Sequence, residues 1–253
     1  MNKFSVQMKR FAVLSATEFK LSMRSFDMVL FGLLMPIAVI VVIGLIYGGR
    51  NAGGAAMIGD SFGAYLAIGI CAVGLMGLPL TLSDYRQKKI LKRLAVTPAH
   101  PGLLLGVQMF VQALVAVFSA VLVTGTAVLF YGYAPNGPPA LMIASYLLVL
   151  LSIFSMGLCI ASVAPDAKKA GLYCSIAYFP MLLLSGTTVP FEAFPPGVQK
   201  VAAVLPLSQG IMLINGIASG DAVAAHTPRI LILAGIAMAC AVVSLTTFRW
   251  DME

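Results

Sequence analysis

The chain has 253 residues, of which 60% are hydrophobic and only 10% are charged, and its mean hydropathy is +0.98. A soluble domain has about a quarter of its residues charged, so this chain lacks the polar surface to cover a soluble domain of its size. The composition excludes a soluble globular protein and predicts an all-α integral membrane protein with several spans.

Residues 1–26 combine basic side chains with Phe4, Phe11, Leu14 and Leu21. This pattern is typical of an amphipathic helix that lies in the membrane interface, and a disordered tail is the alternative. We predict an interfacial helix that precedes the first span.

Six stretches are apolar over the roughly 20 residues that a membrane helix needs. The predicted spans are residues 28–47, 61–83, 104–131, 140–163, 169–188 and 229–248. Charged residues or Gly- and Pro-rich turns bound them, such as YAPNGPP after the third span. We expect a single transmembrane domain over residues 1–253.

The basic residues divide unevenly between the two sides of the membrane. Thirteen of the sixteen fall in the N-terminal segment, in the loops after the second and fourth spans and in the C-terminal tail, whereas Arg50, Lys200 and Arg229 fall on the other side. Because cytoplasmic loops are enriched in Lys and Arg, both termini are predicted to be cytoplasmic, in a multi-pass protein of the plasma (inner) membrane. The net charge of +7 therefore reports topology and contact with membrane lipids, and we expect no nucleic-acid partner.

Ionisable side chains, which inside a membrane indicate function, are nearly absent from the predicted spans. The chain also lacks a GxxxxGK[ST] phosphate loop, paired acids and a metal-ligand cluster. We predict no catalytic residue, no metal site and no cofactor in this chain. Asp60, at the outer start of the second span, is the one acid placed to face a pathway. The alternative is a solvated helix N-terminus, where a negative charge is favourable.

The loop DYRQKKILKRLAVTP, residues 84–98, concentrates five basic residues in an otherwise apolar chain. In a helix over residues 84–97, Ile90, Leu91 and Leu94 share one face, and Pro98 ends the helix. Such a helix could lie on anionic headgroups or insert its aliphatic face into a groove of a soluble partner. The pattern alone leaves both interpretations open.

The segment RQKKILKRLAVTP resembles the cytoplasmic stretch of type-2 ATP-binding-cassette (ABC) exporter permeases, which typically reads Arg-Glu-x-Gly-Thr-Leu-x-x-Leu-x-x-Thr-Pro. Gln87 stands where that family usually has glutamate, Lys89 where glycine is usual and Ile90 where threonine is usual. In that family the segment is the coupling helix that docks on the ATPase subunit. The resemblance therefore implies docking roles for Arg86, Gln87, Ile90, Leu91, Leu94, Thr97 and Pro98.

A second, distant segment, LSGTTVPFEAFPPGVQKVAAVLPLSQGI (residues 184–211), resembles the signature that follows the fifth span in the same family. The matching residues are Ser185, Gly186, Pro190, Pro195, Pro196, Gln199, Pro206 and Leu207. Broken backbone at membrane depth is tolerated only inside protein or around a cavity. We therefore expect an outer re-entrant helical hairpin over residues 189–217, between spans five and six, at the exit of a pathway; an ordinary extracellular loop is the alternative.

The resemblance covers the whole length and implies a permease subunit of an ATP-driven exporter. It implies an ABC ATPase partner that binds ATP and Mg, and a second permease copy, either identical or similar. The charge-free spans favour an amphiphilic or hydrophobic cargo such as a drug, an antimicrobial peptide or a lipid-linked molecule.

Two other functions stay open. A polysaccharide or lipid-linked glycan exporter of the same fold would favour aromatic rings along its pathway, and the chain has a single tryptophan, Trp250. A membrane scaffold that transports nothing is the other alternative. A neighbouring gene for a protein with a phosphate loop would argue against the scaffold.

Overall fold

The computed structural model describes residues 3–46, 52–90, 101–186 and 194–247, and within these ranges the chain is helical and contains no strand. The helices are α1 (Lys3–Arg24), α2 (Phe26–Ile46), α3 (Ala52–Asp60), α4 (Phe62–Gln87), α5 (Pro101–Tyr131), α6 (Pro139–Val163), α7 (Ala167–Leu184), α8 (Pro196–Ala202), α9 (Pro206–Ser219) and α10 (Thr227–Thr247). A 3₁₀ turn, Val223–His226, precedes α10, and α2 and α4 each contain a π-helical segment. The all-α membrane fold is confirmed.

Among the described residues, five helices are long and apolar enough to cross a bilayer, namely α2, α4, α5, α6 and α10 with the turn before it. The helix α7 coincides with the described part of the predicted fifth span, but two lysines in its first turn make it more polar than these five. The pair α8 and α9 would supply a sixth crossing unit if the two are taken together. The positions of the predicted spans agree with the helices to within a few residues, and their number stays a prediction.

The helix α4 lies at the centre of the fold. Every residue from 62 to 75 is buried, and α4 contacts α2, α5, α6, α7 and α9. In contrast, α2, α5 and α10 carry large exposed apolar side chains, such as Leu45, Leu129 and Leu245. These side chains suit a surface covered by lipid tails, so the packed interior of the protein is built around α4.

Glycine allows α4 and α6 to approach closely. A Cβ atom on Gly157 of α6 would overlap the carbonyl oxygen of Gly74 in α4, and a Cβ on Gly74 would overlap the ring of Phe154. Small residues permit such close contact between membrane helices. The packing of α4 on α6 therefore has no room for a methyl group at position 157.

The predicted N-terminal helix is present as α1, which packs along α5 with the rings of Phe11 and Phe110 5.5 Å apart. Its location in the membrane interface stays a prediction.

The prediction that a separate helix begins at Asp84 is wrong. The helix α4 continues to Gln87, because the side chains of Tyr85 and Arg86 are buried against other elements and hold the chain in the same helix. A turn at Lys88 and Lys89 follows, and the remaining positions of the predicted helix, residues 91–97, lie outside the described ranges. Lys89 has φ = +56°, in the left-handed region that glycine adopts without a steric penalty.

The helices α8 and α9 meet at an angle of 86° in the region of the predicted hairpin. Pro206 begins α9, and its fixed φ and missing N–H suit the first turn of a helix. Much of α9 is buried between α4, α6 and α10, whereas Val201 and Val204 beside the bend are exposed. Entry of this pair into the membrane stays a prediction.

Replacing Gly157 with alanine should destabilise the protein, because the new methyl group meets backbone that cannot rotate away. We expect a loss of about 1–3 kcal/mol, measured as a lower thermal unfolding midpoint of the purified protein in detergent. The control is Gly125→Ala on α5, where a Cβ meets nothing within 4 Å. Equal midpoints for the two variants would contradict the close α4–α6 contact.

Candidate functional site

A cleft of about 630 Å³ lies among α1, α2, α4, α5 and α7. Its lining residues are Glu18, Leu21, Ser22, Ser25, Asp27, Met28, Phe31, Gly32, Ala72, Met76, Gly77, Leu80, Thr81, Asp84, Tyr85, Gln112, Tyr178 and Phe179. The end of α1, the start of α2 and the end of α4 meet here, which is the side predicted to be cytoplasmic. A volume of this size is typical of small-molecule sites.

Both π-helical segments border this cleft. Leu30–Leu34 contributes Phe31 and Gly32, and Ala72–Gly77 contributes Ala72, Met76 and Gly77. A Cβ on Gly32 would lie 3.1 Å from a methyl group of Val73, so the two segments pack tightly against each other. Turns of π-helix are rare in proteins, but those that occur are frequently found at functional sites. Here two of them form one wall of the cleft.

Three carboxylates, Glu18, Asp27 and Asp84, stand along the cleft, and no Lys, Arg or His occurs among the lining residues that the structure describes. The Asp84 carboxylate pairs with the Lys88 ammonium at 2.8 Å, and both side chains are substantially exposed. The cleft is therefore acidic, although the chain as a whole is basic.

A polar cluster of Glu18, Tyr85 and Gln108 connects three helices beside the cleft. The Tyr85 hydroxyl and the Gln108 Nε2 each donate to Glu18 Oε2 at 2.6 Å. Gln108 Nε2 also lies 3.3 Å from the Tyr85 oxygen, and the Tyr85 and Gln108 side chains are buried. The cluster ties α1 to the last turn of α4 and to the start of α5.

The predicted docking residues do not form one surface in the part of the chain that is described. Arg86 is buried and its Nη1 donates to the Ala164 carbonyl at 2.9 Å, and its docking role stays a prediction. Gln87 is exposed at the end of α4, and Ile90 packs against Tyr85 and Leu104. The other predicted docking residues, Leu91, Leu94, Thr97 and Pro98, lie outside the described ranges.

The predicted exit residues lie at the ends of α7, α8 and α9. Ser185, after the last residue of α7, is buried and its hydroxyl donates to the Leu182 carbonyl, and Gly186 follows with φ = +86°. Pro195 precedes α8, Pro196 begins it, and Gln199 Nε2 donates to the Phe194 carbonyl at 2.9 Å. Pro206 is buried at the start of α9, and Pro190 lies outside the described residues.

Asp60 is exposed at the end of α3 and is not part of the cleft. It precedes Asp84 by 24 residues, roughly 36 Å along a helix. Its carbonyl accepts from Asn215 Nδ2 at 2.7 Å, while Asn215 Oδ1 accepts from the Gly63 N–H at 2.6 Å. Asn215 of α9 thus bridges the break between α3 and α4. Near this break, burial raises the pKa of Tyr133, and the Asp60 carboxylate makes a smaller contribution in the same direction.

Sequence reasoning missed most of the cleft, because its lining comes from five helices. One signal was available: Gln108 and Gln112 are four residues apart in an apolar segment, which places two amides on one face of a helix. Asn215 and Tyr85 have no comparable local pattern. Within the described residues, no group of three His, Cys, Asp or Glu side chains is arranged to hold a metal ion.

Two curated relatives resemble short parts of the chain. Nodulation protein J of Rhizobium leguminosarum bv. viciae is 34% identical over 74 residues, or 29% of each chain. Nodulation protein J of Neorhizobium galegae is 35% identical over 65 residues, which make up 26% of this chain and 25% of the relative. The chain thus spans less than a third of the length of these relatives.

The model of the ABC-2 type transporter family matches residues 9–218. This match extends from α1 through α9 and includes every helix that lines the cleft. The chain is a multi-pass membrane protein that belongs to the ABC-2 type transporter family.

Proposed function

We propose that the chain is the permease subunit of an ATP-driven exporter and moves an amphiphilic or hydrophobic substrate outward. The observation that carries the proposal is the position of the end of α4. Asp84 and Tyr85 line the cleft, and the helix ends at Gln87, within the predicted docking segment, residues 84–98. A displacement of the docking segment would therefore reach the wall of the cleft through one rigid helix.

The cleft supports an amphiphilic substrate. Its lining combines carboxylates with apolar and aromatic side chains, of which Leu21, Phe31 and Phe179 are more than a third exposed. An exposed apolar rim beside acidic groups suits a molecule that approaches with its tail in lipid and its head near the membrane surface. We infer entry from the inner leaflet or the cytoplasm.

The partners follow from the same proposal. Separate ABC ATPase subunits would bind ATP and Mg, and a second permease copy would complete the pathway. ATP binding would close the ATPase pair and move both docking segments together. The complex would lie in the plasma (inner) membrane with the termini of the permease in the cytoplasm.

The docking role is tested by Leu94→Asp, which places a charge on the proposed apolar docking face. We expect at least a tenfold loss of ATPase recovered with the tagged permease, because burial of an unpaired carboxylate opposes association. Leu94→Met is the control and should retain the wild-type complex of two permeases and two ATPases, measured by native mass spectrometry. Unchanged recovery of ATPase with Leu94→Asp would contradict docking through this face.

The orientation is tested with single cysteines in a variant that lacks the four native ones. Asn136→Cys should react with a membrane-impermeant maleimide added outside intact cells, whereas Lys89→Cys should react only after lysis. Asn136 and Lys89 are both exposed, so burial does not explain a difference in labelling. The reverse pattern would overturn the proposed topology.

The polar cluster is tested by Glu18→Ala, which removes the shared acceptor of Tyr85 and Gln108. Leaving buried donors unpaired costs about 1–3 kcal/mol, so α1 should separate from the end of α4. We expect a severalfold loss of substrate-stimulated ATP hydrolysis in the reconstituted complex while the ATPase still co-purifies. Lys20→Ala, at an exposed position of the same helix, should behave like the wild type. Wild-type substrate-stimulated ATP hydrolysis in Glu18→Ala would show that the polar cluster of Glu18, Tyr85 and Gln108 does not transmit movement.

A further inference from the structure

We propose that the cleft selects cationic amphiphiles, specifically molecules with a protonated amine attached to an apolar body. This inference rests on the proposed function and specifies its substrate class. The arguments are the uncompensated charge of the cleft, one unpaired buried acceptor, and the composition of the apolar wall.

The charge of the cleft is only partly balanced within the described chain. Glu18 accepts hydrogen bonds from two neutral donors, Tyr85 and Gln108. Asp27 is exposed and has no ion pair among the described residues. Asp84 has Lys88 as its partner, but exposed pairs of this kind are weak and a bound cation could compete with the lysine. The lining therefore favours a positive ligand and disfavours a phosphate or sulfate.

An independent observation places an acceptor in the wall. Gln112 is 1% exposed and lines the cleft, and its Oε1 has no hydrogen-bond partner in the described part of the protein. A buried amide oxygen without a donor is unfavourable, and an N–H group of a ligand would satisfy it. A protonated amine supplies both the donor for Gln112 and the positive charge for the carboxylates.

The apolar and aromatic residues of the lining suit an apolar body. Phe31, Tyr178 and Phe179 supply aromatic rings, which attract cations as well as apolar groups. Met28 and Met76 supply flexible thioethers that adapt to irregular shapes. Since the volume is about 630 Å³, the cleft would accommodate a small amphiphile or the head of a larger one.

The experiment measures thermal unfolding of the full-length permease in nanodiscs of zwitterionic lipid, with four probes that share a decyl tail. The probes are decylammonium, decyltrimethylammonium, decyl sulfate and decyl maltoside, each below its micelle concentration. We expect decylammonium to raise the unfolding midpoint by about 5 °C at saturating concentration, and decyltrimethylammonium to raise it less because it has no N–H group. Decyl sulfate and decyl maltoside should have no effect.

Two variants separate the charge from the hydrogen bond. Gln112→Leu should weaken decylammonium binding about tenfold and leave decyltrimethylammonium binding unchanged. Asp27→Asn should weaken the binding of both cations severalfold. Asp221→Asn, which removes a carboxylate outside the cleft, should change neither.

If decyl sulfate raised the unfolding midpoint as much as decylammonium or more, the charge argument would be overturned. A rise of that size with decyl maltoside would favour a glycan substrate instead. Wild-type decylammonium binding in both Gln112→Leu and Asp27→Asn would also overturn the proposal. Because the unfolding measurement needs no ATPase, it tests ligand binding separately from ATP-driven transport. Selective binding of the cations without ATP-driven transport in the reconstituted complex would refute the exporter while leaving the binding site intact.

Discussion

The fold depends on one constraint: backbone N–H and C=O groups that are removed from water must find partners within the protein. Continuous helices meet this constraint by themselves, but each break in a helix leaves groups to be satisfied. Asn215 supplies both a donor and an acceptor at the break between α3 and α4. Arg86 donates to the carbonyl of Ala164 after α6, and Gln209 donates to that of Ala203 at the bend before α9. Polar side chains from other parts of the fold thus make the breaks stable.

The same constraint explains why α4 can connect the two ends of the molecule. Its π-helical segment keeps the backbone hydrogen-bonded while admitting an extra residue per turn, so the helix is not interrupted between the Asn215 bridge and the cleft. Glycines at positions 74 and 157 let α6 pack directly on this segment. Continuity and close packing of α4 suit the proposed transmission of force along its length.

Hydropathy was sufficient to place the spans because lipid selects for long apolar runs, and the bounds of α5 and α6 agree closely with those predicted. The end of α4 was not predictable in this way. Tyr85 is held by Glu18 and Gln108, and Arg86 by Ala164, so the helix extends through contacts with residues far away in sequence. The local pattern of basic residues instead favoured a new helix at Asp84.

The difference at position 89 also has a backbone explanation. Exporter permeases that resemble this chain usually have glycine there, and Lys89 adopts the left-handed conformation for which glycine is suited. Lysine in place of the family's glycine therefore raises the conformational free energy of the turn at position 89 by about 1–2 kcal/mol, because lysine has a Cβ atom. It does not require a change in the proposed contact with an ATPase. Sequence comparison could locate the position, but only the dihedral angle gives the physical reason for the glycine.

The polar groups near the two ends of α4 differ in how far their hydrogen bonds are satisfied. On the side of Asp60, both the oxygen and the nitrogen of the Asn215 side-chain amide form hydrogen bonds with backbone groups at the break between α3 and α4. On the side of Asp84, the Gln112 oxygen is buried without a partner among the described residues, and Gln112 lines the same cleft as Glu18, Asp27 and Asp84. Satisfied groups stabilise a closed arrangement, whereas an unsatisfied acceptor gains from a ligand. Among the described residues, the Asn215 amide thus completes the backbone of the fold near Asp60, whereas the cleft near Asp84 keeps a buried acceptor that the proposed ligand would satisfy.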